Sequence, residues 1–300
     1  MSSFQDYVVE ESIEEYQSGA ISRGDLERRV LGALGDAEGR RVLAGVPARA
    51  AASRPRRAAA PRPIGGGAGV ETQDVRVPVQ GAELLGYLAR PEGAGPFPAI
   101  LAIHENRGLV DHIKDCARRL AGAGYVALAP DLLSRQGGTA AKFSDPNDAI
   151  AALGQSDPEQ NTRDLVAALD WLAQQPYVDR NRLAVTGWCM GGGYTWRVVT
   201  QAGSRLKAAV PWYGPNPPGD VDKIQAPVFA IYGELDQRIN AGIDAITQQM
   251  QQNGKQFEKK IYPNAQHAFN NDQNPERYNA EQAPIAWNDM LQFLDRHLKR

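Results

Sequence analysis

A cysteine stands between two glycines in the segment Gly187-Trp188-Cys189-Met190-Gly191, directly after the apolar run 183–185. A strand, a sharp turn that carries a nucleophile, and a helix form the arrangement called a nucleophile elbow. There the glycines remove side chains that would collide with neighbouring elements, and a thiol would carry an acyl group as a thioester. A buried structural cysteine beside strand-ending glycines gives the same pattern, so the interpretation depends on partner residues.

The base that such a cysteine needs is a histidine, and the chain has four. In an elbow of this kind the order along the chain is nucleophile, acid, histidine, which leaves His267 and His297. His297 lies in the last turn of an amphipathic C-terminal segment, where a surface position is expected. His267 follows the strand-like segment 257–262 and a short loop, so we predict His267 as the base.

The acid should lie between the cysteine and the histidine. The segment 228–232 has the apolar pattern of a buried strand and runs into Glu234 and Asp236. We predict that Asp236 orients His267, with Glu234 as a competing candidate.

Another apolar strand, 98–103, leads into a loop that begins with His104, Glu105 and Asn106. The loop after this strand supplies one N–H of an oxyanion hole, and the residue after the nucleophile supplies the other. These positions are the backbone near Glu105 and Asn106, and Met190. His104 precedes the nucleophile in the chain, and we interpret it as a structural residue.

Together these motifs resemble the dienelactone hydrolase (carboxymethylenebutenolidase) family, whose members have the α/β-hydrolase fold. The resemblance covers roughly residues 72–299, and the motifs stand in family order at 104–109, 129–132, 187–192, 213–214, 233–236 and 267–269. It implies the following roles: nucleophile, Cys189; base, His267; orienting acid, Asp236; oxyanion N–H groups, Asn106 and Met190.

The resemblance also implies a role for Glu105. In the family this glutamate contacts the resting thiol, which becomes a thiolate only when substrate displaces the contact. A nearby carboxylate disfavours a second negative charge and so raises the pKa of a thiol.

The chain departs from the family where a substrate carboxylate would bind. The best-known members use two arginines, but here one of those positions is Asn271, and residues 136–162 contain no arginine. Lys142 is the only cation in that stretch, and Arg135 and Arg163 flank it without matching by position. We therefore expect a neutral ester or lactone to be preferred over an anionic one.

Three aromatic residues lie beside the catalytic positions, namely Trp188, Tyr213 and Phe269. They either line the acyl pocket or are core aromatics at strand ends, and we treat them as pocket candidates.

Composition excludes several classes of protein. The net charge of −2 over 300 residues gives no electrostatic reason to expect a nucleic-acid partner. No apolar stretch approaches the roughly 20 residues that span a bilayer. Cys116 and Cys189 stand far apart and predict no disulfide. We expect no metal and no cofactor. The expected partner is a small ester or lactone substrate, and a homodimer is possible.

Strand-like and helix-like segments alternate along most of the chain, which predicts an α/β fold with a mostly parallel sheet and helices on both faces. The first two strands should form an antiparallel pair. The predicted strands are 75–79, 84–89, 100–103, 126–129, 183–186, 208–212, 228–232 and 257–262. The predicted helices are 111–123, 158–175, 191–203, 239–253 and 278–298.

We predict three regions, which are a helical N-terminal extension (1–45), a linker rich in Ala, Pro, Arg and Gly (46–70), and an α/β-hydrolase catalytic domain (71–300). In the extension, residues 4–18 should form an amphipathic helix, and Ser22 with Asp25 should cap a second helix. Every catalytic candidate lies in the third region, so we expect it to keep activity without residues 1–69.

Relatives in the family often begin with an acidic helix, an arginine pair and an apolar export signal. Here Gly24 follows Arg23 where a second arginine would stand, and charged residues interrupt the segment that would be the apolar core. We therefore expect a cytoplasmic protein, with a periplasmic location as the alternative if the degenerate segment still acts as a signal.

The sequence thus predicts a hydrolase that cleaves a small ester or lactone through a thioester at Cys189. Two alternatives stay open, which are a thioester or amide hydrolase with the same triad and a non-catalytic binding protein that keeps the hydrolase fold.

Overall fold

The computed structural model describes residues 4–49, 69–217 and 219–299. Three helices come first: α1 (Phe4–Ser18), α2 (Arg23–Leu34) and α3 (Asp36–Ala44). Most of the predicted linker, residues 50–68, lies outside the described residues.

An eight-stranded sheet forms the centre of the molecule, in the order β1-β2-β4-β3-β5-β6-β7-β8. The pairs β1–β2 and β2–β4 are antiparallel, and the other neighbours are parallel. The predicted α/β class with an antiparallel opening pair is therefore confirmed. The strands are β1 (Val70–Val79), β2 (Ala82–Pro91), β3 (Phe97–Ile103), β4 (Val126–Pro130), β5 (Val178–Trp188), β6 (Leu206–Trp212), β7 (Val228–Gly233) and β8 (Phe257–Tyr262).

Helices connect these strands and cover the sheet. They are α4 (Asp111–Gly122), α5 (Thr139–Lys142), α6 (Pro146–Gln155), α7 (Pro158–Ala173), α8 (Met190–Gln201), α9 (Gln237–Asn240), α10 (Ile243–Gln252) and α11 (Gln282–Leu298). Two of these helices, α5 and α6, were not predicted, and α9 and α10 had been predicted as one.

Burial of the strands follows their place in the sheet. Every residue of β4 and β7 is buried, as expected for strands that are covered on both faces. In the edge strand β8 the central residues Glu258, Lys259 and Lys260 are exposed. Charged side chains on an edge strand discourage pairing with another chain.

The helices α1 and α2 pack onto α6, and α3 packs against α2. Val8, Leu26 and Val30 have no exposed surface. The capping box is present, since Ser22 and Asp25 each accept a hydrogen bond from the other's backbone N–H at 3.1 Å. The third helix was not predicted.

None of the described helices combines the length and the apolar character that crossing a membrane would require.

Candidate active site

Cys189 occupies the turn between β5 and α8, with φ 58° and ψ −120°. A left-handed φ is strained for a residue with a side chain, and such strain concentrates at functional sites. The Cys189 N–H donates to the carbonyl of Trp212 at 3.1 Å, which ties the turn to β6. The cysteine therefore sits at the carboxyl end of the parallel strands.

The glycines on either side of Cys189 are sterically required. A Cβ at Gly187 would lie 2.3 Å from the carbonyl oxygen of Gly191, and a Cβ at Gly191 would lie 2.3 Å from that of Ile103. Each distance is below any real Cβ contact, so the elbow predicted from sequence has the expected geometry.

His267 and Asp236 follow β8 and β7, and so reach the same edge of the sheet as Cys189. His267 Nδ1 and Asp236 Oδ2 are 2.6 Å apart, and both side chains are buried. Glu234 is used elsewhere, because its Oε2 accepts the backbone N–H of Asn264 at 2.8 Å. Of the two candidate acids, Asp236 is the one placed against His267.

This pairing sets the charge preferences of both groups. Burial lowers the pKa of His267, but the charge and hydrogen bond of Asp236 outweigh burial and raise it above its usual value. Burial likewise raises the pKa of Asp236, but His267 outweighs it and lowers that pKa. Asp236 is thus an anion that can stabilise an imidazolium.

The N-terminal helix α1 places two further side chains directly against Cys189. The Tyr7 hydroxyl lies 3.2 Å from Cys189 Sγ and 3.4 Å from His267 Nε2. Cys189 Sγ lies 3.5 Å and 3.7 Å from the two carboxylate oxygens of Glu11. A carboxylate oxygen of Glu11, the sulfur of Cys189 and a ring nitrogen of His267 lie within 4.8 Å of one another.

Tyr7 and Glu11 were not predicted as site residues. They stand four residues apart and so share one face of α1. The amphipathic pattern of 4–18 predicted that a face would be buried, but nothing in it indicated what that face would cover.

The surroundings of Cys189 favour the protonated thiol. Burial raises its pKa well above the usual value, and the charges of Glu11 and Glu105 raise it further. Hydrogen bonds with Tyr7 and with the Met190 N–H act in the opposite direction without cancelling the rise.

The residues predicted for the oxyanion hole and for thiol gating lie around the sulfur. Met190 is the first residue of α8, and Asn106 is buried, with Nδ2 donating to Glu11 Oε2 at 2.8 Å. Glu105 Oε2 accepts from Asn271 Nδ2 at 2.6 Å. Its buried Oε1 has no hydrogen-bond partner among the residues described. The carboxylate against the thiol is thus that of Glu11, while Glu105 acts on it through its charge.

His104 has the structural place expected of it. The Leu132 N–H donates to His104 Nε2 at 3.0 Å, which makes Nε2 an acceptor. Nδ1 then donates to the carbonyl of Glu105 at 2.6 Å. The residue fixes the loop after β3.

The three pocket candidates differ in position. The ring of Tyr213 lies edge-on to His267, with centroids 5.2 Å apart. Phe269 packs behind Tyr213 at 5.6 Å. Trp188 has no exposed surface and stacks with Trp287 at 6.3 Å. Only Tyr213 therefore has a described ring contact with a catalytic candidate.

Two arginines outside the predicted positions lie close to the site. Arg238 Nε donates to Glu14 Oε2 at 3.1 Å, and its guanidinium lies 4.6 Å from the centre of the Tyr7 ring. Arg277 Nη2 lies 3.5 Å from Glu15 Oε1. Both cations are thus paired with carboxylates of α1. Arg135 and Arg163 pair instead with Asp164 and Asp157.

Comparison with known proteins gives the same family at the level of sequence. The model of the dienelactone hydrolase family matches residues 84–298. A Yersinia pestis protein named "Putative carboxymethylenebutenolidase" is 36% identical over 243 residues, which cover 76% of this chain and 90% of that one. A Methylorubrum extorquens protein of the same name is 36% identical over 231 residues, covering 73% and 79%.

Solved structures show the same relationship. The "Putative Dienelactone Hydrolase" of Klebsiella pneumoniae is 32% identical, with a TM-score of 0.68 over 75% of this chain and 98% of that one. A dienelactone hydrolase-like promiscuous phosphotriesterase from metagenomic libraries is 26% identical, also with a TM-score of 0.68, over 76% and 99%. The chain belongs to the dienelactone hydrolase family.

Proposed function

We propose that this protein hydrolyses a small ester or lactone through a thioester on Cys189. The observation that supports the proposal is the Asp236–His267 hydrogen bond at 2.6 Å, with a ring nitrogen of His267 within 4.8 Å of the sulfur of an elbow cysteine. Asp236 fixes the imidazole tautomer, which leaves the Nε2 lone pair free to take a proton from the thiol.

The steps follow from these positions. His267 accepts the thiol proton, and the thiolate attacks the carbonyl carbon of the ester. The N–H groups of Asn106 and Met190 stabilise the oxyanion, and His267 returns the proton to the leaving alcohol. A water molecule activated by His267 then cleaves the thioester and restores the thiol.

The substrate's charge is a separate question. The expectation of a neutral substrate depended on two family positions that lack arginine. Arg238 and Arg277 lie near the site at other positions, where each is paired with a carboxylate of α1, so a preference for a neutral substrate stays a prediction. The test compares kcat/KM for dienelactone with kcat/KM for a neutral lactone of similar size. A tenfold or greater preference for the anion would contradict the expectation.

Turnover of a substrate panel by the wild type, Cys189→Ala and Cys189→Ser tests the proposal. The panel contains p-nitrophenyl esters, simple lactones, dienelactone, a thioester, an amide, and a phosphotriester because of the metagenomic relative. We expect ester or lactone turnover that falls on the order of a thousandfold or more in Cys189→Ala, with a trace or none in Cys189→Ser. Near-normal turnover by a folded Cys189→Ala variant would refute the nucleophile, and no turnover by the wild type would favour a binding protein.

A further inference from the structure

One face of α1 carries ionisable side chains where a packed helix normally carries apolar ones. Tyr7, Glu11 and Glu15 follow one another at intervals of four residues, and each is at most 5% exposed. Carboxylates are rarely buried so fully unless they have partners. Glu11 has its partners in the candidate site, namely Cys189 and His267. Glu15 is paired with Arg29 of α2 and with Arg277.

The candidate site is closed to solvent, and this face of α1 lies directly against it. Cys189 is only 2% exposed and His267 only 1%. Tyr7 touches both reacting atoms, and Glu11 lies 3.5 Å from each of them. Attack requires a carbonyl carbon about 3–3.5 Å from the sulfur. Tyr7 and Glu11 already occupy that space, so an ester and the seated helix exclude one another.

We infer that α1 is a built-in cover of the acyl site that must leave its seat before substrate binds, and that Glu11 holds the covered Cys189 as a thiol. The inference rests on the proposed role of Cys189 as the nucleophile. Glu11 is a positioning residue, since it sets the protonation state of the nucleophile and leaves before the reaction.

Several charged or titratable groups face Cys189 and must be weighed together. They come from α1, the loop after β3, the segments after β6 and β8, and the chain before α11: Tyr7, Glu11, Glu105, Tyr213, His267 and Arg277. Of the two carboxylates in this set, Glu11 lies within 3.7 Å of the sulfur and belongs to the element that would move. When α1 leaves, the thiol loses that negative neighbour and gains water. Both changes favour the thiolate that the reaction needs.

A reversible disulfide tests whether α1 must move. A Cβ built at Gly154 of α6 would lie 3.6 Å from the Cβ of Val8 in α1, which suits a disulfide. In the oxidised Val8→Cys/Gly154→Cys protein we expect turnover and iodoacetamide labelling of Cys189 to fall at least tenfold, and a reductant to restore both. Wild type carried through the same oxidation and reduction is the control. An oxidised variant as active as its reduced form would overturn the cover.

A second pair of variants tests Glu11 without introducing cysteines. Glu11→Gln keeps an acceptor for Asn106 but removes the charge. Glu10→Gln makes the same change at the next residue, which is exposed. The readout is the pH dependence of iodoacetamide labelling at Cys189, which peptide mass mapping measures. A chelator is present throughout the labelling.

We expect the midpoint of labelling to fall by about one pH unit or more in Glu11→Gln, because a like charge beside the thiol is removed. The pH profile of labelling for Glu10→Gln should superimpose on that of the wild type. If Glu11→Gln keeps the wild-type midpoint, Glu11 does not hold the thiol.

These experiments separate the cover from the proposed function. Full turnover by Cys189→Ala would refute the role of Cys189 as the nucleophile, whatever the result of the disulfide experiment. An inactive Cys189→Ala variant together with an active oxidised Val8→Cys/Gly154→Cys protein would refute the covering role of α1 and leave the proposed mechanism intact.

Discussion

His267 lies between two carboxylates, one for each ring nitrogen. Asp236 is 2.6 Å from Nδ1, and Glu11 is 3.5 Å from Nε2. Burial lowers the pKa of the imidazole, but Asp236 and then Glu11 outweigh burial, and the pKa is raised. A protonated histidine cannot accept the thiol proton. Activity should therefore rise with pH through the raised pKa of His267, above the usual value for histidine.

Asp236→Asn should lower kcat strongly, by up to roughly 10⁴-fold, because the amide favours the wrong imidazole tautomer. It should also move the acidic limb of kcat/KM to lower pH, because the carboxylate that raises the pKa of His267 is removed. Pre-steady-state and steady-state rates across pH measure both effects.

Glu234→Gln is the matched control, since Glu234 bonds to the backbone of Asn264 and not to His267. It should behave like the wild type. Strong loss of kcat in Glu234→Gln with little in Asp236→Asn would show that the acid has been assigned to the wrong residue.

Residue types and order made Cys189, Asp236 and His267 predictable, because each follows a buried strand and parallel strands end at one edge of the sheet. Tyr7 could not be found in this way. Its contacts with Cys189 and His267 join residues 182 and 260 positions apart. No local pattern encodes such a distant contact. The same holds for the pairing of Arg238 and Arg277 with α1.

The elbow depends on close backbone packing between β5, α8 and the end of β3. A Cβ at Gly191 would meet the carbonyl oxygens of Ile103 at 2.3 Å and of His104 at 2.5 Å. Both are backbone atoms that cannot turn away. The loop that carries Glu105 and Asn106 begins there, so a shift would also disturb the oxyanion hole.

Gly191→Ala should therefore destabilise the protein by about 1–3 kcal/mol and lower its Tm by several degrees. Gly122→Ala provides the comparison, since a Cβ at Gly122, the last residue of α4, meets nothing within 4 Å. It should leave Tm unchanged or raise it slightly. Thermal unfolding of both variants decides the point, and equal Tm values would contradict the steric reading of the elbow.

The sequence pattern predicted the strands better than the short helices. Strand-like segments marked all eight strands. Five of them, β3 to β7, contain apolar runs, because these strands are buried along most of their length. The helix α6 was missed even though Asp145 caps it and Pro146 follows as its first residue, both typical helix-start signals. The helix α3 was hidden by charged residues, which had been interpreted only as interruptions of an export signal.

The molecule consists of a family core and an added N-terminal layer. The family match begins at residue 84, whereas α1, α2 and α3 lie before it. This layer contributes buried apolar side chains, among them Val8, Leu26 and Val30. The sequence placed every catalytic candidate outside the layer, yet Tyr7 and Glu11 of the layer contact Cys189.

Deleting residues 1–44 should give a folded but less stable protein, with Tm lower by several degrees, because apolar surface on the core becomes exposed. Iodoacetamide labelling of Cys189 should become at least tenfold faster in the truncated protein. Circular dichroism, thermal unfolding and peptide mapping measure these effects. Unchanged labelling in a folded truncated protein would contradict the covering role of α1.

The position of α1 has a consequence for how the enzyme would respond to its substrate. Because α1 is part of the same chain, its local concentration at the site is fixed and does not fall on dilution. Each ester molecule must compete with α1 at that concentration. The apparent KM then rises by the inverse of the uncovered fraction, while kcat at saturation is unchanged. A helix seated in about 99% of molecules would raise KM about a hundredfold. Such an enzyme would spare scarce esters and hydrolyse abundant ones, with no effector beyond the substrate itself.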